Sequence, residues 1–542
     1  MTSHETAPNS LRTADVVAAM LYRHGVRYAF GMPGGEVVTL LDGLERAGIT
    51  FHLARHETAA AIMAAGASVL TGLPQVLLTT LGPGLANAVN GIADAAQERV
   101  PLIVLSGVID SDQRGRYTHQ VIDQAAMLKP LVKGSFEISS EGAAETVNAA
   151  VALAMREPMG PVHLDVSPAV AAALVPASPA PAILAIQPPL PSPDKIAALQ
   201  DRIAKAERPL ILAGFEAARH GAAPAILDLA EKIGAPVVTT YKGKGLIPED
   251  HPLALGAAGL SPKADAVLLP LFKAADLVLA IGYDPIEMRA GWRGMAPPET
   301  LVEITALPDG HGMHVAGLRV EASPASLVPE LAAHAVKRST WSGHAPQATR
   351  DRLRAAFAPS TTWGPAAIID TLQDEAAVND IVTVDSGAHR ILLSQQWVAL
   401  KPLTLLQSAG FCTMAAALPL AIGSAAVDKT RRIFAVMGDG GLEMGIGELA
   451  TLRDLDLPVT VVVFQDQSLA LIAMKQASAS LPPAGVALGE TDFSRVAEGF
   501  GGHGITVETS DDFRNALQAA RARQGFSLIA CRFDASLYDG SF

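Results

Sequence analysis

The chain has 542 residues, and at roughly 150 residues per domain that length excludes a single small module and predicts three or four domains. Hydrophobic residues make up 49% and charged residues 18%, which is too apolar and too weakly charged for a largely disordered chain. The formal charge of -13 at pH 7 disfavours a nucleic-acid phosphate backbone as partner, and two cysteines, Cys412 and Cys531, cannot build a disulfide framework. Residues 1–10 are polar and lack the apolar core of a secretory signal. The longest apolar stretch, residues 414–427, falls short of the ~18 residues that span a bilayer and contains Pro419 and Gly423. These features predict a cytoplasmic protein without a membrane span.

In chain order, the runs 26–30, 51–54, 76–80 and 102–106 read as strands, and 58–70, rich in Ala and Met, reads as a packed helix. Residues 175–193 hold seven prolines, which disfavour helix and central strand alike, so this stretch reads as a linker. Strands follow at 209–213, 236–240 and 277–281. The polar stretch 334–362, ending in Pro359-Ser360-Thr361-Thr362, reads as a second linker, and strands resume at 381–384, 433–437 and 459–464. Continuous Val/Ile/Leu strands separated by helical patterns indicate parallel sheets covered on both faces. The predicted fold is α/β, with three doubly wound parallel-sheet domains at residues 10–176, 192–335 and 360–542. No short tandem repeat is present, so a solenoid is not implied.

The sharpest local signal is Gly438-Asp439-Gly440-Gly441, directly after the strand 433–437 and before a helix-like run. A strand-to-helix turn of this kind is where doubly wound sheets bind anions, because free backbone N–H groups and a helix N-terminus converge there. Asp439 would repel a phosphate unless a cation lies between them, and Mg²⁺ takes carboxylate and phosphate oxygens together. The next strand runs into Gln465-Asp466-Gln467-Ser468, placing a second carboxylate at the same sheet edge. The alternative is an ordinary glycine-rich turn with Asp439 as a helix cap. In the first domain, Arg55-His56-Glu57 ends a strand and opens a helix of small residues. Glu57 is there either as an acid favoured by the helix dipole or as a buried group kept for chemistry. The turns Gly31-Met32-Pro33-Gly34-Gly35 and Gly82-Pro83-Gly84 allow a ligand or another backbone to come close.

Together these motifs resemble the thiamine diphosphate (ThDP) dependent enzymes of the acetolactate synthase, pyruvate decarboxylase and benzaldehyde lyase superfamily. The resemblance runs along almost the whole chain, through GMPGGE (31–36), ARHETAAAIMAAG (54–66), TTLGPGLANAVNGIADA (79–95), VPLIVLSG (100–107) and GDGGLEMGIGELATLRDLDLPVTVVVFQDQS (438–468). The segments YTHQVIDQAAMLKPLVK (117–133) and IGYDPIE (281–287), with Asp466, are similar to catabolic acetolactate synthases that do without FAD. The resemblance implies a pyrimidine-binding first domain, a central domain and a diphosphate-binding third domain. It implies that Asp439, the Asp466 side chain and the Ser468 carbonyl hold Mg²⁺ or Ca²⁺. Gly438, Gly440 and Gly441 would line the diphosphate, with His389 touching it from the preceding strand end. Met414 would force the cofactor into its bent form, the Cys412 carbonyl would accept from its 4′-amino group, and Leu471 would line its far side. Glu57 would hydrogen bond to the pyrimidine ring, so that the cofactor deprotonates its own thiazolium carbon and reacts through a C2-carbanion and an enamine. Gly35, Gln120 and Lys475 are the substrate-side candidates, and His119 lies beside them. FAD is not expected. Because family sites form between the first domain of one subunit and the third domain of another, a homodimer is the minimum assembly and a homotetramer is expected.

The chain departs from the catabolic pattern at three positions. Glu36 stands where those enzymes carry a lysine, Gln465 replaces the first Asn of the usual pair, and Lys475 stands where they have Gln. The resemblance implies a transferase or lyase that decarboxylates a 2-oxo acid and joins the product to a second carbonyl compound, as acetolactate synthase does with pyruvate. A non-oxidative 2-oxo acid decarboxylase or 2-hydroxy ketone lyase is the alternative, and a non-catalytic ThDP-binding homologue a third reading. Nucleic acid and membrane are not expected as partners.

Overall fold

A computed structural model of the chain describes residues 10–307 and 311–542. By internal contacts it divides into two compact units. The first comprises residues up to 187 together with 422–427 and 447–455; the second comprises the remainder.

The first unit opens with a short antiparallel ribbon in which β1 (Ser10–Arg12) pairs with β8 (Leu174–Pro176). Between them lies a parallel sheet of β2 (Tyr28–Met32), β3 (Thr50–Leu53), β4 (Gln75–Thr79), β5 (Leu102–Gly107), β6 (Ser135–Glu137) and β7 (Pro161–Val166). Its order is β3-β2-β4-β5-β7-β6. The interior strands β4 and β5 are buried at every residue, as their unbroken apolar runs require. The expected helix is Glu57–Thr71; the His56 side chain caps it by accepting from the Thr58 N–H, and Gly72 ends it in the left-handed region at φ 68°. It packs closely on Pro83–Gln97, where a Cβ at Gly91 would lie 2.6 Å from the Ala61 Cβ. The run expected at 26–30 is instead β2 at Tyr28–Met32, because Gly31 and Met32 continue the ladder opposite Leu78 and Thr79.

The second unit carries two parallel sheets. One contains β9 (Pro209–Ala213), β10 (Val237–Thr240), β11 (Ala254–Ala258), β12 (Leu277–Ile281), β13 (Leu301–Thr305) and β14 (Leu318–Glu321), in the order β11-β10-β9-β12-β13-β14. The other contains β15 (Ile381–Val384), β16 (Leu405–Gln407), β17 (Ile433–Gly438), β18 (Val459–Gln465), β19 (His503–Val507) and β20 (Ser527–Arg532), in the order β16-β15-β17-β18-β20-β19. This last order repeats that of the first unit strand for strand, whereas the middle sheet has the 3-2-1-4-5-6 order of dinucleotide-binding folds. The fold is therefore three doubly wound α/β domains, as the apolar runs imply.

Residues 177–192 form no helix or strand, in keeping with their prolines. The second expected linker is different: it contains a 12-residue helix, Ala345–Ala356. This helix is polar along most of its length and buries only Thr349, Arg350 and Leu353, so it carries little of the apolar periodicity by which helices are recognised. No helix among the described residues is long and apolar enough to cross a membrane.

Candidate active site

Two constellations of side chains stand out, one in each unit. In the second unit, β17 ends at Gly438 and a helix begins at Asp439, while the neighbouring β18 ends at Gln465. Gly438 lies opposite Phe464 in the ladder, so parallel pairing delivers Asp439 and Asp466 to the same edge. Asp439 is buried and ties the two strand ends together. Its Oδ1 accepts from the Gly440 N–H at 2.8 Å, and its Oδ2 accepts from the N–H groups of Asp466 at 3.1 Å and Gln467 at 2.7 Å. Asp466 in turn accepts from the Ser468 N–H at 2.8 Å. Burial pushes Asp439 upward, and burial together with the charge of Asp439 pushes Asp466 up to about 7. Two carboxylates crowded in this way are poised to share a cation, which would relieve both desolvation and mutual repulsion.

A cavity of about 140 Å³ opens beside them, lined by Gly387, His389, Met414, Gly438, Asp439, Gly440, Gly441, Asp466, Ser468, Leu471 and Tyr538, among others. Contact requires glycine at 441 and leaves little room at 438. A Cβ at Gly441 would lie 1.9 Å from Asp385 Oδ2, and one at Gly438 would lie 3.3 Å from the His389 ring. His389 is stacked on Phe464, and its buried Nε2 has no hydrogen-bond partner among the described residues. Burial, reinforced by the neighbouring Arg390 charge, holds its imidazole down at about 3, so it is neutral. The Tyr538 hydroxyl is likewise buried and unpaired. An unpaired tyrosine hydroxyl, glycine backbone at a strand-to-helix turn and two acidic side chains are a set that suits a diphosphate bridged by a hard divalent cation.

In the first unit, Glu57 is buried at the start of its helix, accepts from the Asn87 amide at 3.1 Å, and lies 3.3 Å from where a Cβ on Gly84 would stand. Beyond Gly84 is Thr80, whose hydroxyl donates to Glu36 at 2.6 Å. Gly82, at φ 59°, lets the Gln120 carbonyl come in: a Cβ there would lie 2.1 Å from that oxygen. Glu36, Glu57 and Gln120 are thus brought to one edge of the first sheet. Gly35 is exposed with open space where a Cβ would point. The turn before Glu57 is held by Glu448, which accepts from the Arg55 N–H at 3.0 Å, the His56 N–H at 2.9 Å and the Thr451 hydroxyl at 2.7 Å.

Three domain families match the chain: the thiamine pyrophosphate enzyme N-terminal TPP binding domain over residues 11–127, the central domain over 196–331 and the C-terminal TPP binding domain over 385–531. The chain belongs to the thiamine pyrophosphate enzymes. Among these enzymes it is 30% identical to an acetolactate synthase of Bacillus subtilis, covering 97% of this chain and 94% of that one. It is 29% identical to a catabolic acetolactate synthase of Raoultella terrigena, over 96% and 95% of the two chains. It is also 30% identical to a probable 2-ketoarginine decarboxylase of Pseudomonas aeruginosa, over 96% and 94%. The three matched domains follow one another along the chain, and the two TPP-binding domains carry the two constellations.

Not every residue singled out from sequence reaches the cavity. Cys412, at φ 61°, does not line it; its thiol instead lies 3.3 Å from Arg390 Nη2 and from the Ala409 carbonyl. Lys475 is exposed and also lies outside its lining. Conversely, three residues escaped the sequence reading. Asp385 accepts from the N–H groups of Ser386, Ala415 and Ala416 and so fixes the backbone that follows Met414; its place directly after β15 was a usable signal. Glu448 and Tyr538 act across long stretches of chain and carry no local signal.

Proposed function

We propose that this thiamine pyrophosphate enzyme is a decarboxylating carboligase of the acetolactate synthase kind, acting on a 2-oxo acid and a second carbonyl compound. The reading keeps a pyrimidine-binding domain at 10–176, a central domain at 192–335 and a diphosphate-binding domain at 360–542. What supports it most is the joining of Asp439 and Asp466 at one strand edge beside a glycine cradle, in a chain that matches acetolactate synthases along nearly its full length.

When bound, ThDP would supply a nucleophilic carbon and an electron sink for the loss of carbon dioxide. The protein's part follows from the residues present. Asp439, Asp466 and the Ser468 carbonyl hold Mg²⁺ or Ca²⁺, and the backbone of Gly438 to Gly441 receives the diphosphate. Neutral His389 walls the cavity without adding charge, and Met414 and Leu471 give it an apolar side. Glu57, screened from water, exchanges a proton with the pyrimidine ring nitrogen, and Asn87 keeps its carboxylate aimed. The working site takes Glu57 from one subunit and the phosphate cradle from another, in a homodimer or homotetramer. Neither FAD nor a nucleic acid takes part.

A second reading, a 2-oxo acid decarboxylase that stops at protonation, is favoured by the likeness to the probable 2-ketoarginine decarboxylase. Product analysis separates the two: with pyruvate and benzaldehyde the carboligase forms a larger hydroxy ketone, whereas the decarboxylase releases only aldehyde. A wild-type protein fully loaded with cofactor that forms neither product from any 2-oxo acid would refute both.

A further inference from the structure

We propose that Glu303, His311 and His314 in the central domain form a binding site for a divalent transition-metal ion of the Zn²⁺ class. Glu303 is the middle residue of β13, a strand otherwise made of buried Leu, Val, Ile and Thr, and its side chain is only 7% exposed. The crossover to β14 brings two imidazoles onto it. His311 Nε2 and His314 Nε2 each lie 3.1 Å from the same atom, Glu303 Oε1. All three ligand atoms fall within 4.8 Å of one another. Zinc bonds of about 2.0–2.1 Å in tetrahedral geometry set neighbouring ligand atoms roughly 3.3 Å apart, so the carboxylate-to-imidazole spacings need little change to close around an ion.

The surroundings favour a cation over a plain hydrogen-bond network. In a plain hydrogen-bond network each imidazole donates from one ring nitrogen and its second nitrogen finds another partner. Here both rings converge on one oxygen, and among the described residues both buried Nδ1 atoms have no hydrogen-bond partner. The other oxygen, Oε2, is taken by Arg319. The His314 side chain is 1% exposed, stacked on Tyr283 at 5.4 Å and edge-on to His311 at 4.7 Å, so both rings are held in place before any ion arrives. Two imidazoles and one carboxylate are a borderline nitrogen and oxygen set that selects zinc, cobalt or iron over magnesium and calcium. Three protein ligands leave a fourth position for water. Bound there, the ion clips the crossover at 311–314 onto β13. This site is separate from the carboxylate pair of the diphosphate cradle, which offers oxygen ligands only.

The test uses the full chain with ThDP and Mg²⁺ in excess, so that the oxygen site is filled, titrated with Co²⁺ and, separately, with Zn²⁺. The expected result is one Co²⁺ per chain with visible ligand-field bands, displaced by Zn²⁺, and a rise in melting temperature on metal addition. His311→Ala and His314→Ala, with far-ultraviolet circular dichroism matching wild type, are expected to weaken Zn²⁺ binding at least about 10²-fold; Glu303→Gln should weaken it while keeping the same volume. A wild-type protein that shows no ligand-field bands under excess Mg²⁺ overturns the proposal irrespective of how the variants fold. Equal zinc affinity in wild type and both histidine variants overturns it as well.

Discussion

Replacing Glu448 tests how the protein holds its proton-transfer group. Glu448 is 2% exposed and does not touch Glu57; it fixes the turn that leads into it, through the N–H groups of Arg55 and His56. Glu448→Ala leaves both N–H groups without that acceptor. They are only partly buried, which puts the loss at the low end of the range, about 1 kcal/mol each or roughly 2 kcal/mol together. The larger consequence is positional: a carboxylate displaced by about 1 Å from its productive place costs on the order of 10² in rate. Glu448→Gln keeps one acceptor oxygen for the two N–H groups, and the Thr451 hydroxyl can turn to accept from the new amide. The expected outcome is therefore a kcat about 10²-fold lower for Glu448→Ala and within about tenfold of wild type for Glu448→Gln, with ThDP affinity nearly unchanged in both. Steady-state decarboxylation rates and ThDP titrations read these two quantities separately. Equal kcat in Glu448→Ala and wild type, or equal damage by Ala and Gln, would refute the positioning argument.

Further outcomes follow from the same geometry. Glu57→Gln should bind ThDP and Mg²⁺ with near-wild-type affinity, measured calorimetrically, while losing at least about 10² in turnover. Gly441→Ala drives a methyl group to within 1.9 Å of Asp385 Oδ2, which is anchored by backbone N–H groups; overpacking of about 1–3 kcal/mol should weaken ThDP binding by about tenfold or more in a titration. Tyr538→Phe removes a buried hydroxyl that has no protein partner, and loss of one hydrogen bond to the diphosphate, about 1 kcal/mol, should raise the ThDP dissociation constant about fivefold. Burial lifts Asp385 from 3.8 to about 6 in the folded chain. A raised carboxyl pKa gives stability that is present below the unfolded value and is lost as pH rises through the folded one. Wild type should therefore lose about 2 kcal/mol relative to Asp385→Asn between pH 4 and pH 6 to 7, visible as converging or crossing melting curves; a pH-independent difference would contradict it.

The legibility of the chain followed burial. The strands Pro209–Ala213, Leu277–Ile281 and Ile381–Val384 coincide with apolar runs because parallel strands covered on both faces must be apolar throughout. Short or edge strands such as β6, β14 and β19 have exposed or half-exposed positions and blend into loop sequence. The helix Ala345–Ala356 hid in a polar stretch for the same reason. Within the cavity, Asp439 and Asp466 were legible since each ends a recognisable strand. Glu448 and Tyr538 were not, because their roles depend on which distant backbone N–H groups or strand ends the fold brings to them; Asp385 also ends a strand, yet the N–H groups of Ala415 and Ala416 that it binds lie 30 and 31 residues on. The matching order of the first and third sheets was also out of reach, since strand order is a property of pairing between segments far apart in the chain. The crossover histidines of the central sheet show the same limit: His311 and His314 are three residues apart, yet only β13 supplies Glu303 between them.

The most direct test of the account is stoichiometric. Purified protein with ThDP, Mg²⁺ and pyruvate is followed for carbon dioxide and acetolactate together. The carboligase reading predicts one carbon dioxide per acetolactate, with both products abolished by Asp439→Ala. Carbon dioxide matched by acetaldehyde and no acetolactate, or product formation that survives Asp439→Ala, would contradict it.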